Sequence, residues 1–403
     1  MALFRSLSYR SFALLWGGQT ISRLGDSLYQ IGLAWWVLEK TGSAAAMGAV
    51  FIFSFAPMLL FLLVGGVAVD RFPRLLIMLI SDVLRGVIVA LVALLAAASR
   101  LEIWHVYGAS MLFGLMDAFF QPAYSAVVPE VAPREALTSA NSLTSLSGQT
   151  ISIVGPALGA VVIKVGGSPA VFAIDAFTFF VSAACLLSIP PRLAPRTTDQ
   201  APTSFFTDVR EGMRTVLSIP WVWVWIGIST LLNVTWGAPM IVALPFLVTK
   251  TLGADVGGLG LVYSLMSLGA VVGTVGVGQL GRLKKRGLFV CGAWLLAGLT
   301  LLALGWPLSL WWVGMGALII SASGAVNNVI GSVVVQEYIP SELLGRVSSI
   351  GALGSYALLP VGLGAIGWAT DLVGAPLVFA IGGALTAGLG LFGLSRSAMR
   401  SLE

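Results

Sequence analysis

Long apolar runs alternate with short polar breaks along this chain, and each run is long enough to cross a bilayer. Covering the hydrocarbon core takes about 20 apolar residues rising about 1.5 Å each. Cutting at charges and Pro/Gly clusters places spans near 11–38, 44–69, 75–98, 103–127, 137–165 and 168–190. A polar segment, 191–219, follows, and a second series runs near 220–248, 256–281, 287–308, 309–335, 343–367 and 375–395. The pattern predicts an all-α membrane protein of twelve transmembrane helices. Inside the polar segment, apolar residues at 205, 206, 209, 213, 216 and 217 have the spacing of an amphipathic helix lying on the membrane surface. The first residues, MALFRSLSYRSFALLW, lack a small-residue cleavage pattern and read as the start of an uncleaved span.

The second series copies the first. Sliding the chain by 207 residues lays 127–174 on 334–381 without a gap, and 16 of 48 columns are identical. Glu130, Pro133 and Glu135 meet Glu337, Pro340 and Glu342, a coincidence that lipid-facing composition does not produce. Lys40-Thr41 and Lys250-Thr251 extend the match across a small gap. The expected organisation is two six-helix bundles, 1–190 and 220–403, joined by a cytoplasmic linker, 191–219. Parallel repeats of this kind are the layout of a secondary transporter that rocks about a central site.

Charge gives the chain a sidedness. With the N-terminus inside, 16 of the 22 Lys and Arg fall in the cytoplasm, and only Lys40, Arg100, Lys164 and Lys250 fall outside. That bias places both termini in the cytoplasm of a cell-membrane protein. The chain is 58% hydrophobic and 10% charged, with a mean hydropathy of +0.97; soluble chains are about 25% charged. The net charge of +5 therefore reports topology rather than nucleic-acid binding. Cys185 and Cys291 both lie in apolar runs and imply no disulfide framework.

Between the second and third spans, GGVAVDRFPRLL breaks the apolar pattern with Gly66, Asp70, Arg71 and Arg74. This stretch resembles the loop of the major facilitator superfamily that reads roughly G-x-x-x-D-R-x-G-R-R, with Pro73 and Leu75 departing from it. The resemblance implies a gating latch, in which Asp70 faces the N-terminus of helix eleven at Pro340-Ser341-Glu342. An anion is favoured there by the helix dipole. The equivalent loop in the second half, 279–286, holds no acid, so the latch is one-sided. Leu15-Trp16-Gly17-Gly18-Gln19, Gly25-Asp26, Lys40-Thr41-Gly42-Ser43, Pro129-Glu130 and Gly345-Arg346-Val347 are similar to the macrolide-efflux and siderophore-exporter branch. Gly155, Pro156 and Gly159 resemble the G-P-x-x-G-G stretch of proton-coupled antiporters, with Ala160 in the last position. Close packing through small residues accounts for the same stretch.

Charges inside spans cost about 2.5–3.5 kcal/mol on insertion scales and mark function. Gln19, Arg23, Asp26 and Gln30 fall on one helix face. Asp26 and Asp117 lie at matching depth, about 18 Å from the outer ends of their spans, with Gln121 one turn from Asp117. The superfamily lines its cavity with these helices, so Asp26, Asp117 and Arg23 become the candidates for proton coupling. In the alternative reading, Arg23 and Asp26 neutralise each other at i,i+3. Asp82 and Arg85 read as a structural pair, and Asp175 as structural. The second half places no acid deep in a span, only Asn233, Trp236, Asn327 and Asn328. With Gln19, Gln30 and Gln121 these are the candidate substrate contacts.

One histidine, His105, rules out a metal cluster; no phosphate loop is present, and no cofactor is expected. Gly25-Asp26 alone is no aspartyl-protease motif, so an enzyme is not expected. The sequence points to a monomer exporting an amphipathic small molecule in exchange for protons, with the lipid bilayer and no nucleic acid as partner. A siderophore exporter or lysolipid-like carrier is the alternative, and a non-transporting sensor a more remote one. The charge bias gives a test of orientation. In a chain lacking Cys185 and Cys291, cysteines introduced as Arg196→Cys and Lys284→Cys should react with an impermeant maleimide from the cytoplasmic side alone. Labelling of either from outside would reverse the topology.

Overall fold

Backbone groups in hydrocarbon have no water to bond, so a helix is the one local solution for a chain this apolar. The computed structural model describes residues 2–190, 213–214, 216–280, 285–339 and 341–400, and no strand occurs among them. The first helices are α1 (Arg10–Thr41), α2 (Ala44–Arg71), α3 (Arg74–Ala97), α4 (Ile103–Val131) and α5 (Leu137–Leu187). Next comes α6 (Pro220–Leu232), carried on to Thr251 by π-helical stretches at Asn233–Gly237, Pro239–Ala243 and Leu247–Thr251. Then follow α7 (Val256–Gln279), α8 (Arg286–Ala303), α9 (Leu310–Tyr338), α10 (Ser341–Tyr356), α11 (Leu359–Val373) and α12 (Ala375–Ser395). Ten stretches among the described residues are long and apolar enough to cross a membrane. α1 is 32 residues long but carries Arg23 and Asp26 in its middle.

The 51 residues of α5 would measure about 75 Å as one rod, more than twice a bilayer core. They are not one rod: Gly167 sits at φ 70°, ψ −178° and breaks the helix. Gly374, its partner in the repeat, takes φ 83°, ψ 153° between α11 and α12. Side chains avoid this region of backbone space and glycine does not, and each glycine is followed two residues on by proline, Pro169 and Pro376. The conserved columns of the internal repeat thus encode the same chain reversal twice.

The acidic columns have an equally local meaning. Arg74, at the start of α3, holds Glu130 near the end of α4 at 2.5 Å. Arg286, at the start of α8, pairs with Glu337 near the end of α9. Glu130 and Glu337 are repeat partners, so each half ties two successive helices together with the same clamp.

Two span boundaries differ from the hydropathy pattern. α8 ends at Ala303 and α9 begins at Leu310 rather than abutting at 308–309. Pro307 supplies no N–H, and the Ser309 hydroxyl caps α9 by accepting from the Trp312 amide at 3.2 Å. The eleventh span is split between α10 and α11, where Pro360 starts the new helix. Most of the amphipathic segment expected at 204–217 lies outside the described residues.

Two compact units emerge: Met1–Arg196 with Asp255–Ser264, and Thr197–Ala254 with Leu265–Glu403. In the first, α1 and α3 run along α5, and α2 runs along α4. Gly65 of α2 lies against the Ala118 carbonyl, and Gly114 of α4 against the Ser54 carbonyl; neither site has room for a Cβ. Gly155 seats α5 on Ser27 of α1 in the same way, Gly159 packs tightly on Leu28 of α1, and Gly66 faces open space. In the second unit α8 packs along α9 and α12, and Trp294 is buried completely at its centre.

These contacts separate two neighbouring glycines by experiment. Gly65→Ala must push α2 from α4 and should lower stability by about 1–3 kcal/mol, the usual cost of overpacking. Gly66→Ala should melt with the parent protein. Thermal unfolding of both in detergent measures the difference, and equal melting temperatures would refute the packing described.

Candidate functional site

Charge inside the first unit is arranged around Arg85. This α3 side chain is 4% exposed and lies over the rings of Phe120, Phe113 and Phe179 at 4.5, 5.7 and 5.9 Å. Aromatic faces attract a cation but do not neutralise it. Neutralisation comes from α4, where Asp117 Oδ1 accepts from Arg85 Nη2 at 2.5 Å.

Asp82 is therefore not the partner of Arg85 that their spacing suggests. Its Oδ2 accepts from Ser182 Oγ at 2.7 Å and from Gln19 Nε2 at 3.3 Å. Gln19 donates to Ser182 as well, at 2.8 Å. The shorter side chain finds its donors on α1 and α5, and the longer one reaches α4. Asp82 Oδ1, Arg85 Nε and Asp175 Oδ2 are buried without a hydrogen-bond partner among the described residues.

Asp26 lies within electrostatic reach of Arg85, Asp117, Asp82, Arg23 and Asp175. Its neighbour explains its position. A Cβ on Gly25 would meet Asp175 Oδ1 at 2.5 Å and collide with the Thr178 hydroxyl, so glycine lets α1 lie directly on the second arm of α5. Asp175 is completely buried, and Thr178 bonds back to it. Four carboxylates and two guanidiniums thus share one helical bundle.

The alternative reading, an Arg23–Asp26 ion pair, does not appear: no ion pair joins them among the described residues. Arg23 instead lies over the Tyr124 ring at 4.9 Å. It lines a cavity of about 560 Å³ together with Ser125, Asn141, Thr144 and Gln149, between α1, α4 and α5.

The second unit has a cavity of similar size, about 570 Å³, and different chemistry. Asn233, Trp236, Asn327 and Asn328, expected from sequence as separate polar points, all line it. Trp225 and Tyr356 join them, unforeseen. Two glycines of α9 seat the indoles: a Cβ at Gly324 would come within 3.0 Å of Trp236, and one at Gly331 within 3.0 Å of Trp225. Asn327 accepts from Trp294 Nε1 at 3.1 Å, and Asn233 donates to the Ser355 carbonyl at 3.0 Å. Gly324 and Gly331, spaced seven apart opposite a Trp-rich helix, were the overlooked signal. Gln30 and Gln121 sit at exposed positions, and Gln19 is spent on Asp82 and Ser182.

Of the latch residues, Arg71 is exposed and Arg74 is held by Glu130. The side chain of Asp70, residue Pro340, and the side chains of Ser341 and Glu342 lie outside the described residues. No cluster of three or more His, Cys, Asp or Glu able to hold a metal occurs among the described residues.

Macrolide efflux protein A of Streptococcus pyogenes is 26% identical to this chain over 379 residues, 93% of each chain. Enterobactin exporter EntS of Citrobacter koseri is 27% identical over 344 residues, 82% of this chain and 74% of its own. Among solved structures, nucleoside transporter NupG superposes with a TM-score of 0.73 at 13% identity, covering 98% of this chain and all of that one. A peptide transporter POT gives 0.75 at 12% identity, covering 95% and 93%. The model of the Major Facilitator Superfamily matches residues 15–363: the chain belongs to that superfamily and is a multi-pass membrane transport protein, not an enzyme.

Proposed function

We propose that this protein exports an amphipathic small molecule in exchange for protons by alternating access. Its architecture in this reading is twelve spans, counting α1 once and α5 twice across Gly167, with both termini in the cytoplasm. Bundles 1–190 and 220–403 flank the linker 191–219, and the transporter works as a monomer. Export is supported by the similarity to a macrolide efflux protein and an enterobactin exporter. Gly66, Asp70, Arg71 and Arg74 supply the cytoplasmic latch, with Asp70 as its acid.

The observation that carries the coupling is the Arg85–Asp117 pair with Asp26 beside it. Asp117 has a side chain 33% exposed against 5% for Arg85, so a proton reaching the pair arrives at the carboxylate. Protonating Asp117 releases Arg85, and Asp26, Asp82 and Asp175 are the other anions within its electrostatic reach. A cation with two sets of partners is a two-state element that proton binding can bias. The Trp225–Trp236 cavity offers the apolar walls and few polar groups typical of small-molecule sites. A siderophore is the second candidate substrate, on the strength of the resemblance to the enterobactin exporter.

Two substitutions test the coupling. Asp117→Asn should reduce pH-gradient-driven efflux of a macrolide or of enterobactin from proteoliposomes to the protein-free level. It should also cost up to about 3 kcal/mol of stability, the low end for an orphaned buried partner because Asp117 is partly exposed. Asp26→Asn breaks no ion pair and should lose exchange while melting near the parent. Exchange at the parental rate in both variants would remove these carboxylates from the mechanism.

A further inference from the structure

Arg23 and Arg85 are the arginines that lie deep within the spans of this unit, and four of the unit's cations have acidic partners. Lys40 pairs with Glu102, Arg74 with Glu130, Arg85 with Asp117 and Lys164 with Asp255. Arg23 makes no ion pair and no hydrogen bond among the described residues, although it stands about 20 Å along α1 from Arg10. A guanidinium held at that depth without a counterion is costly, and the half-buried side chain is fixed in place by the Tyr124 ring. Stacking occupies one face of the group and leaves the N–H fork at its edge available, the part that matches a planar oxyanion.

The surroundings fit a missing anion. The cavity beside Arg23 is lined by no acid among the described residues. Thr144 of the same lining has a buried hydroxyl without a hydrogen-bond partner among the described residues, and the amides of Asn141 and Gln149 add further donors. Its volume, about 560 Å³, lies within the usual range for small-molecule sites. Asp26, three residues on, makes no ion pair with Arg23 among the described residues.

We propose that Arg23 and Thr144 form an anion subsite, which takes a carboxylate or phenolate group of the exported amphiphile. This rests on the export reading and makes Arg23 a substrate contact rather than a member of the proton-coupling set. An anionic lipid headgroup carries the same chemistry, and the test separates the two.

Purified full-length protein in an uncharged maltoside detergent is titrated with three probes of one shape. These are 1-naphthaleneacetate, its neutral amide, and 2-(1-naphthyl)ethylamine, with binding followed by equilibrium dialysis. The acid should bind about tenfold tighter than the amide, the worth of a charge-assisted hydrogen bond, and the amine weakest. Arg23→Gln should erase the preference and Arg23→Lys restore part of it. Equal binding of acid and amide by the unsubstituted protein overturns the proposal, whether or not the variants fold. In nanodiscs, full competition of the acid by added phosphatidylglycerol, lost in Arg23→Gln, would assign the site to lipid and overturn the substrate role. Uphill flux in proteoliposomes is scored separately. Its absence would remove export while leaving the binding result, and intact flux without acid preference would remove only the subsite.

Discussion

A buried guanidinium is costly in a low-dielectric bundle unless an acid matches it, and the Arg85–Asp117 pair at 2.5 Å is where the first unit meets that constraint. The pair draws α3 to α4, and three phenyl rings from α4 and α5 close over it. Because Asp117 is committed to Arg85, Asp82 must find uncharged donors, and it finds them on α1 and α5 in Gln19 and Ser182. Four helices are therefore oriented by one charge-matching problem. Breaking such a pair from one side leaves the other charge uncompensated.

Around this network the helices approach as closely as glycine permits. Van der Waals packing, not a hydrophobic driving force, associates helices in lipid, so removal of Cβ atoms converts directly into contact. Gly65 and Gly114 do this between α2 and α4, Gly25 and Gly155 around α1, and Gly298 and Gly383 between α8 and α12. The antiporter-like stretch at Gly155, Pro156 and Gly159 has a concrete packing role of this kind, since it receives the middle of α1. The start of α7 adds to it, because Gly260 lies over Ala160 and the Pro156 carbonyl.

The two units reuse one plan and diverge in chemistry. Each has the Arg–Glu clamp and the left-handed glycine reversal. The first concentrates its deep charges around Arg85 and carries a cavity with one cation. The second lines its cavity with indoles and amides, held by Gly324 and Gly331 and braced by Trp294. The clamp and the reversal recur, and the cavity linings differ.

The sequence by itself determined the helical class, the positions of most spans and the repeat. These follow from the cost of unbonded backbone in lipid. It also singled out Arg23, Asp26, Asp117 and the asparagines as the polar positions inside spans. Only the tertiary structure decided their partners. An i,i+3 spacing shows which side chains can meet along one helix, but Asp82 chose Ser182, 100 residues away, and Arg85 chose Asp117, 32 away. Arg23 left Asp26 for the face of Tyr124, and Trp225 became a cavity wall because Gly331 makes room for it. Partner choice among charges depends on which neighbouring helix offers the better match once packed, and that competition is absent from any single stretch of sequence.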